Sequence, residues 1–339
     1  MMASYSSTAS AVRGTVWSLP RALSRLRPEA CALLVALNER VWQAGDPVLL
    51  ELIRLRVAQL IGNSAALQMR CSYPDAAAGL ESKIRALPDY PSSPLFSPAE
   101  RDTLAFAEQF LIDVGGTTED ARAELIQHFG ADGAREVVSA IYVVEFTQRL
   151  QMIAARLLDD DAPAPPAIAE PEIGSPALGD TTPASLLTAY QEAVVRGSEL
   201  DAMTTELVRL RCARTHRCRI CQTLRLADAR AAGVDEAITA QIDFYERSDL
   251  PDRAKVALRV TDSFITQPDI LSDTVAEQAR ASFEPAELAS LCLDITKWST
   301  QKIHVALGTD GAEGLETDDE GVAVFGFDET GRATGYRRR

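Results

Sequence analysis

The chain has 339 residues, 46% of them hydrophobic and 24% charged, the balance of a globular protein long enough for two domains with cores of their own. A formal net charge of −15 excludes a phosphate-binding surface, which needs a basic stripe, so no nucleic-acid partner is expected. No apolar run approaches the roughly 20 residues of a membrane span, and aromatic residues are only 6%; a core of Ala, Leu, Val and Ile favours helices, so the expected fold is all-α with no membrane partner.

Residues 1–19 show little pattern and no apolar secretory core, which predicts a flexible N-terminus and a cytoplasmic chain. From Pro20, apolar residues at Leu23, Leu26, Cys31, Leu34, Leu37 and Val41 predict one or two helices, stopped at Gly45 and Pro47. A helix from Pro47 to Gly62 follows, then another from Asn63 that ends between Gly79 and Pro88. Ser97-Pro98-Ala99-Glu100 has the form of a capping box and opens a helix to about Ile112. Gly115-Gly116 interrupts it, and helices over 118–129 and 133–158 complete a first domain, 20–158.

Residues 159–183 are acidic and rich in proline, a semi-extended linker. Beyond it, helices are predicted at 183–196, 235–245, 251–264, 272–282 and 285–308, within a second domain, 184–309. The acidic tail, 310–339, contains Val322-Ala-Val-Phe-Gly-Phe and reads as a disordered extension or a short hairpin docked on the body.

An offset of 155 residues lays Glu51-Leu-Ile-Arg-Leu-Arg-Val-Ala over Glu206-Leu-Val-Arg-Leu-Arg-Cys-Ala, and Arg70 over Arg225. Slightly smaller offsets lay Phe110 over Phe264 and Gln148 over Gln301, which points to two copies of one helical domain. Asn63 and Ala66 fall where the second copy has Cys218 and Cys221, so two-sulfur chemistry is confined to the second copy. Glu51 and Arg70 persist without the thiols. Glu51–Arg70 and Glu206–Arg225 are therefore also readable as buried ion pairs tying helices together.

The residues from Glu206 to Arg225 hold three of the six cysteines: Cys212, Cys218 and Cys221. A Cys-x-x-Cys pair can close a small disulfide loop or share a metal, and it can also be inert core. Cys212, His216, Cys218 and Cys221 lie too close in sequence to surround one zinc, so neither metal nor cofactor is expected. A thiol reacts as thiolate, which cations and a helix N-terminus favour; His216, Arg217, Arg219 and Arg225 surround the pair, and Cys218 is placed to open a helix. Cys31, Cys71 and Cys292 sit in apolar patterns and read as core, and His128 and His304 as structural or solvated.

A Glu twelve residues before Cys-x-x-Cys, followed by Asp-Ala-Arg-Ala-Ala-Gly-Val at 228–234, resembles the carboxymuconolactone decarboxylase and alkylhydroperoxidase (AhpD-like) family. The closing stretch Trp298–Gly308 is similar as well. The resemblance implies two tandem all-α AhpD-like bundles in a homo-oligomer, reducing hydroperoxides at the expense of a thiol or protein reductant. It implies Cys221 as the attacking thiol, Cys218 as the resolving thiol and Glu206 as a proton relay. Redox members carry His where this chain has Arg225, which holds its proton; Arg225 can act by charge only, with His216 as the substitute base. The same sequence also accommodates a non-catalytic scaffold or a redox-responsive partner protein. A lactone decarboxylase is less favoured, since neither Arg70 nor Arg225 supplies that reaction's His.

Overall fold

The computed structural model describes residues 12–72, 79–158 and 181–336. The start of the flexible N-terminus, most of the 159–183 linker and the last three arginines therefore lie outside the described residues.

After strand β1 (Val12–Gly14) come helices α1 (Arg21–Leu26), α2 (Pro28–Ala44), α3 (Pro47–Ile61) and α4 (Ser64–Gln68). Strand β2 (Met69–Cys71) leads to α5 (Leu80–Ala86), α6 (Pro98–Asp113) and α7 (Glu119–Leu157). Beyond the linker are α8 (Pro183–Arg196), α9 (Ala202–Thr215), α10 (Arg219–Thr223), β3 (Leu224–Leu226), α11 (Ala227–Ala231) and α12 (Glu236–Thr239). The chain continues through α13 (Asp252–Ile265), α14 (Asp273–Ser282), α15 (Pro285–Trp298) and α16 (Gln301–Ala306) to a hairpin of β4 (Ala323–Phe327) and β5 (Ala333–Thr334).

The all-α expectation holds, and local chemistry explains the helix ends. Ser97 and Glu100 form the reciprocal capping box, and Asp46, Asp201 and Ser272 cap α3, α9 and α14. Three expectations are corrected. Val12–Gly14, within the nominally flexible start, forms a strand parallel to β2. The helix expected from Asn63 ends after one turn in β2, because the Arg54 guanidinium from α3 claims the carbonyls of Ala66 and Met69. The break expected between helices 118–129 and 133–158 is present within α7 at Gly130, whose backbone is non-helical with φ of 72°. The closing helix 285–308 breaks at Ser299-Thr300, where Thr300 turns its hydroxyl onto the Lys297 carbonyl. The tail adopts the docked hairpin, with β4 parallel to β3.

The halves do not keep separate cores. One apolar cluster runs from Leu34, Trp42, Phe110 and Phe146 through Tyr190, Cys212, Phe264 and Leu291. Along this seam α2 packs on α8, and α7 packs on α15 and α16. Buried polar contacts cross it as well: Arg27 donates to Ser290 Oγ (2.7 Å) and to the Val194 carbonyl (2.9 Å), and Tyr142 donates to the Thr296 carbonyl (2.7 Å). Glu145, fully buried, accepts from Arg149 (2.8 Å) and from Lys302 (2.8 and 2.9 Å). Within this cationic seam burial pushes the Lys302 ammonium down to about 8.

Candidate active site

The α9–α10 turn sets the thiols. Helix α9 ends at His216, and Arg217 takes a left-handed conformation (φ 55°) that lets the Cys218 amide bond back to the Ala213 carbonyl (2.9 Å). Cys218 then caps α10, its Sγ accepting from the Cys221 amide at 3.4 Å. Asp310 satisfies the next donors, accepting from the Arg219 amide (2.9 Å) with its carboxylate and from the Ile220 amide (3.0 Å) with its carbonyl. Cys218 and Cys221 are joined as a disulfide with Cα atoms 5.3 Å apart.

The two sulfurs have different surroundings. Cys218 is sealed, whereas Cys221 faces a cavity of about 380 Å³. Its floor is Arg209, Ala213 and Leu224; Trp298, Phe325 and Phe327 supply aromatic walls, and the mouth opens beside Arg332 and Tyr336. Four of these, Phe325, Phe327, Arg332 and Tyr336, come from the C-terminal hairpin. The tail, which gave no functional signal as a sequence, closes the site.

Arg209 is the residue that sequence reasoning missed. Its guanidinium grips both oxygens of Glu206 (2.7 and 2.8 Å) and donates to the carbonyls of Cys221 (2.8 Å) and Leu224 (2.5 Å). It also lies 5.5 Å from the Phe325 ring centroid and 5.9 Å from that of Trp298. Glu206 completes its set by accepting from the Leu226 amide at 3.4 Å. The first half repeats this scaffold: Arg54 grips Glu51 and donates to Ala66 and Met69, and Glu51 accepts from the Cys71 amide. Every pair is displaced by 155 residues, and Asn63 caps α4 as Cys218 caps α10. The legible signal was the Glu-x-x-Arg spacing common to both halves.

The ion pairs expected between Glu206 and Arg225, and between Glu51 and Arg70, do not form. Arg225 lies on β3 rather than one helical turn from Cys221, and it forks onto Glu236 (2.8 and 2.7 Å); Arg70 reaches Glu81 (3.2 Å). The shorter Glu-x-x-Arg reach along one helix face outcompetes the long reach to the strand. His216 turns away from the thiols. It hydrogen-bonds Ser299 Oγ (3.1 Å) and lines a second cavity with Arg149 and Lys302, where burial and those two cations hold its pKa well below the ordinary value. The flanking arginines are committed too, Arg217 to Asp113 (3.1 Å) and Arg219 to Asp310 (2.9 Å).

The Carboxymuconolactone decarboxylase family model matches residues 184–243, which span the α8–α10 scaffold and both thiols. The uncharacterized protein Rv2313c of Mycobacterium tuberculosis is 34% identical over 248 residues, covering 68% of this chain and 82% of its own. The chain belongs to the carboxymuconolactone decarboxylase family. The uncharacterized protein YnjA of Escherichia coli is also similar, 27% identical over 118 residues that cover 35% of this chain and 65% of its own. No solved structure matches. The carboxymuconolactone decarboxylase family includes decarboxylases and alkylhydroperoxidases, so the cavity lies in an enzyme-bearing family. No helix among the described residues is long and apolar enough to cross a membrane.

Proposed function

We propose that the protein reduces organic hydroperoxides by a dithiol–disulfide cycle at Cys221 and Cys218. The observation that carries this reading is the asymmetry of the pair: Cys221 faces the cavity, while Cys218 is sealed behind it at a helix cap. Cys221 thiolate attacks the distal peroxide oxygen, the O–O bond breaks, and the departing alkoxide is protonated to an alcohol. The sulfenic acid left on Cys221 is attacked by the Cys218 sulfur, which forms the disulfide and releases water. A small-molecule or protein dithiol supplies the two electrons that restore the pair. In this scheme Arg209 supplies fixed positive charge beside Cys221, and Glu206 holds Arg209 in place rather than shuttling protons, since both its oxygens are occupied. Arg225 and His216 then act on architecture, through Glu236 and Ser299.

The two halves read as copies of one unit in which Asn63 and Ala66 replaced the thiols, leaving the chemistry to the second. The test is a free-thiol count on reduced protein before and after one equivalent of cumene hydroperoxide, with Cys221→Ser as control. Rapid loss of two thiols per chain, absent in the variant, is the expected result. Equal, slow oxidation in both proteins would rule the cycle out.

A further inference from the structure

The sequence contains four lysines, and three have an acceptor for the amine: Lys83 on Glu100 (2.5 Å), Lys255 on the Ser248 carbonyl (2.7 Å) and Lys302 on Glu145 (2.8 Å). The Lys297 amine forms no hydrogen bond or ion pair among the described residues, although the residue is only 6% exposed. It stands on α15, and it lines the same cavity as Cys221. Its Nζ lies 2.9 Å from the ring centroid of Trp298 and 4.6 Å from that of Phe327, so aromatic faces rather than a carboxylate meet the amine. The nearest acidic residue on its own helix, Asp294, spends its carboxylate on Ser198 Oγ (2.9 Å). The other charged groups of the cavity are matched to one another, Arg209 with Glu206 and Arg332 with Glu192.

An ammonium withdrawn from water into a largely apolar cavity is disfavoured, and the nearby Asp294 carboxylate, shared with Ser198, offsets this only in part, so the amine sheds its proton and exposes a nucleophilic lone pair. We propose that Lys297 is a carbonyl-capturing nucleophile, forming an imine with a small aldehyde or ketone whose apolar body lies among Trp298, Phe325 and Phe327. The lone pair on Nζ attacks the carbonyl carbon, and a proton passes from nitrogen to the former carbonyl oxygen, giving a carbinolamine. Loss of that hydroxyl as water leaves the C=N bond. No redox partner is needed. Desolvation, opposed by the Asp294 carboxylate and reinforced by Arg209, holds the Lys297 pKa well below the ordinary lysine value, in keeping with the neutral amine that this step requires.

The inference uses the same cavity as the peroxide reading but does not depend on it. The full-length protein is incubated with benzaldehyde and sodium cyanoborohydride at neutral pH, and adducts are located by peptide mass spectrometry. Reduction traps the imine as a stable secondary amine. The expected result is a single adduct at Lys297, forming at least about tenfold faster than at half-buried Lys83 or Lys255, whose amines are held by Glu100 and the Ser248 carbonyl. Labelling that follows exposure, with Lys297 unmodified, would overturn the proposal. Lys297→Met, with its fold checked by circular dichroism, should lose the fast adduct; retention of that adduct would also overturn it. The thiol count on the same wild-type sample reports separately on the peroxide cycle.

Discussion

Gly62 and Arg217 occupy equivalent left-handed turns, with φ of 74° and 55°, each between an arginine-bearing helix and the capping residue of the next helix. Each turn packs against the opposite half, and the bulk is exchanged: a Cβ on Gly62 would meet Asp269 at 2.2 Å, whereas the Arg217 side chain fills the space over Gly115. The two turns are complementary in size.

Gly62→Ala is therefore expected to destabilise the fold, since the left-handed backbone alone costs about 1–2 kcal/mol for a residue with a Cβ and the overlap with Asp269 adds to it. Arg217→Gly should relieve strain and raise stability by up to about 1 kcal/mol, while Arg217→Ala keeps the strain and loses the side-chain packing. Urea denaturation of the three variants checks the order. A less stable Arg217→Gly would show that contact with Gly115 and Asp113 outweighs the backbone.

Removing Arg209 alone leaves Glu206 as a buried carboxylate without its partner. Arg209→Met is expected to cost about 3–5 kcal/mol, and the double variant Glu206→Gln, Arg209→Met less than that. The same pair of measurements on Glu51 and Arg54 should give a similar coupling, because the hydrogen bonds are the same. A double-mutant cycle with no coupling at either site would contradict this assignment.

Burial pushes the thiols of Cys31, Cys212 and Cys292 up to about 12. In the reduced native protein, iodoacetamide should modify Cys221 first, then Cys218, and leave these three intact until denaturant is added. The sign for stability follows from linkage. A thiol whose folded pKa is raised favours the folded state below its ordinary value near 9, and that contribution is lost as pH rises from about 9 to 12. Alkaline denaturation in that window, followed by fluorescence, is the measurement.

Truncation after Gly321 removes β4 and with it Phe325 and Phe327 from the cavity wall. Reduced Cys221 should then react faster with a bulky maleimide, while the helical circular dichroism is retained. An unchanged rate would mean that the hairpin does not control access.

The linear chain exposed much of the architecture because helix signals are local. Capping residues and proline positions marked α6, α8, α13 and α14 nearly to the residue. The short strands β1, β2 and β3 escaped, since a three-residue strand owes its existence to a partner distant in sequence. Around the thiols the cap at Cys218 was legible and the partners were not. Glu206 and Arg225 share a spacing with Glu51 and Arg70 that suggested a pair, yet both carboxylates go to the arginine three residues on.

The sequence by itself determined the helical class, the family and the Glu-x-x-Arg spacing shared by Glu51 and Glu206, because hydrophobic period, caps and short spacings are properties of neighbouring residues. Only the tertiary structure decided which groups meet. It brings Arg209, Lys297 and the tail's Phe325 to one cavity with Cys221, sends His216 to another, and joins both halves in one core. These contacts span tens to hundreds of residues along the chain, and their selection rests on how packed helices exclude water and satisfy buried charge, which no local pattern encodes.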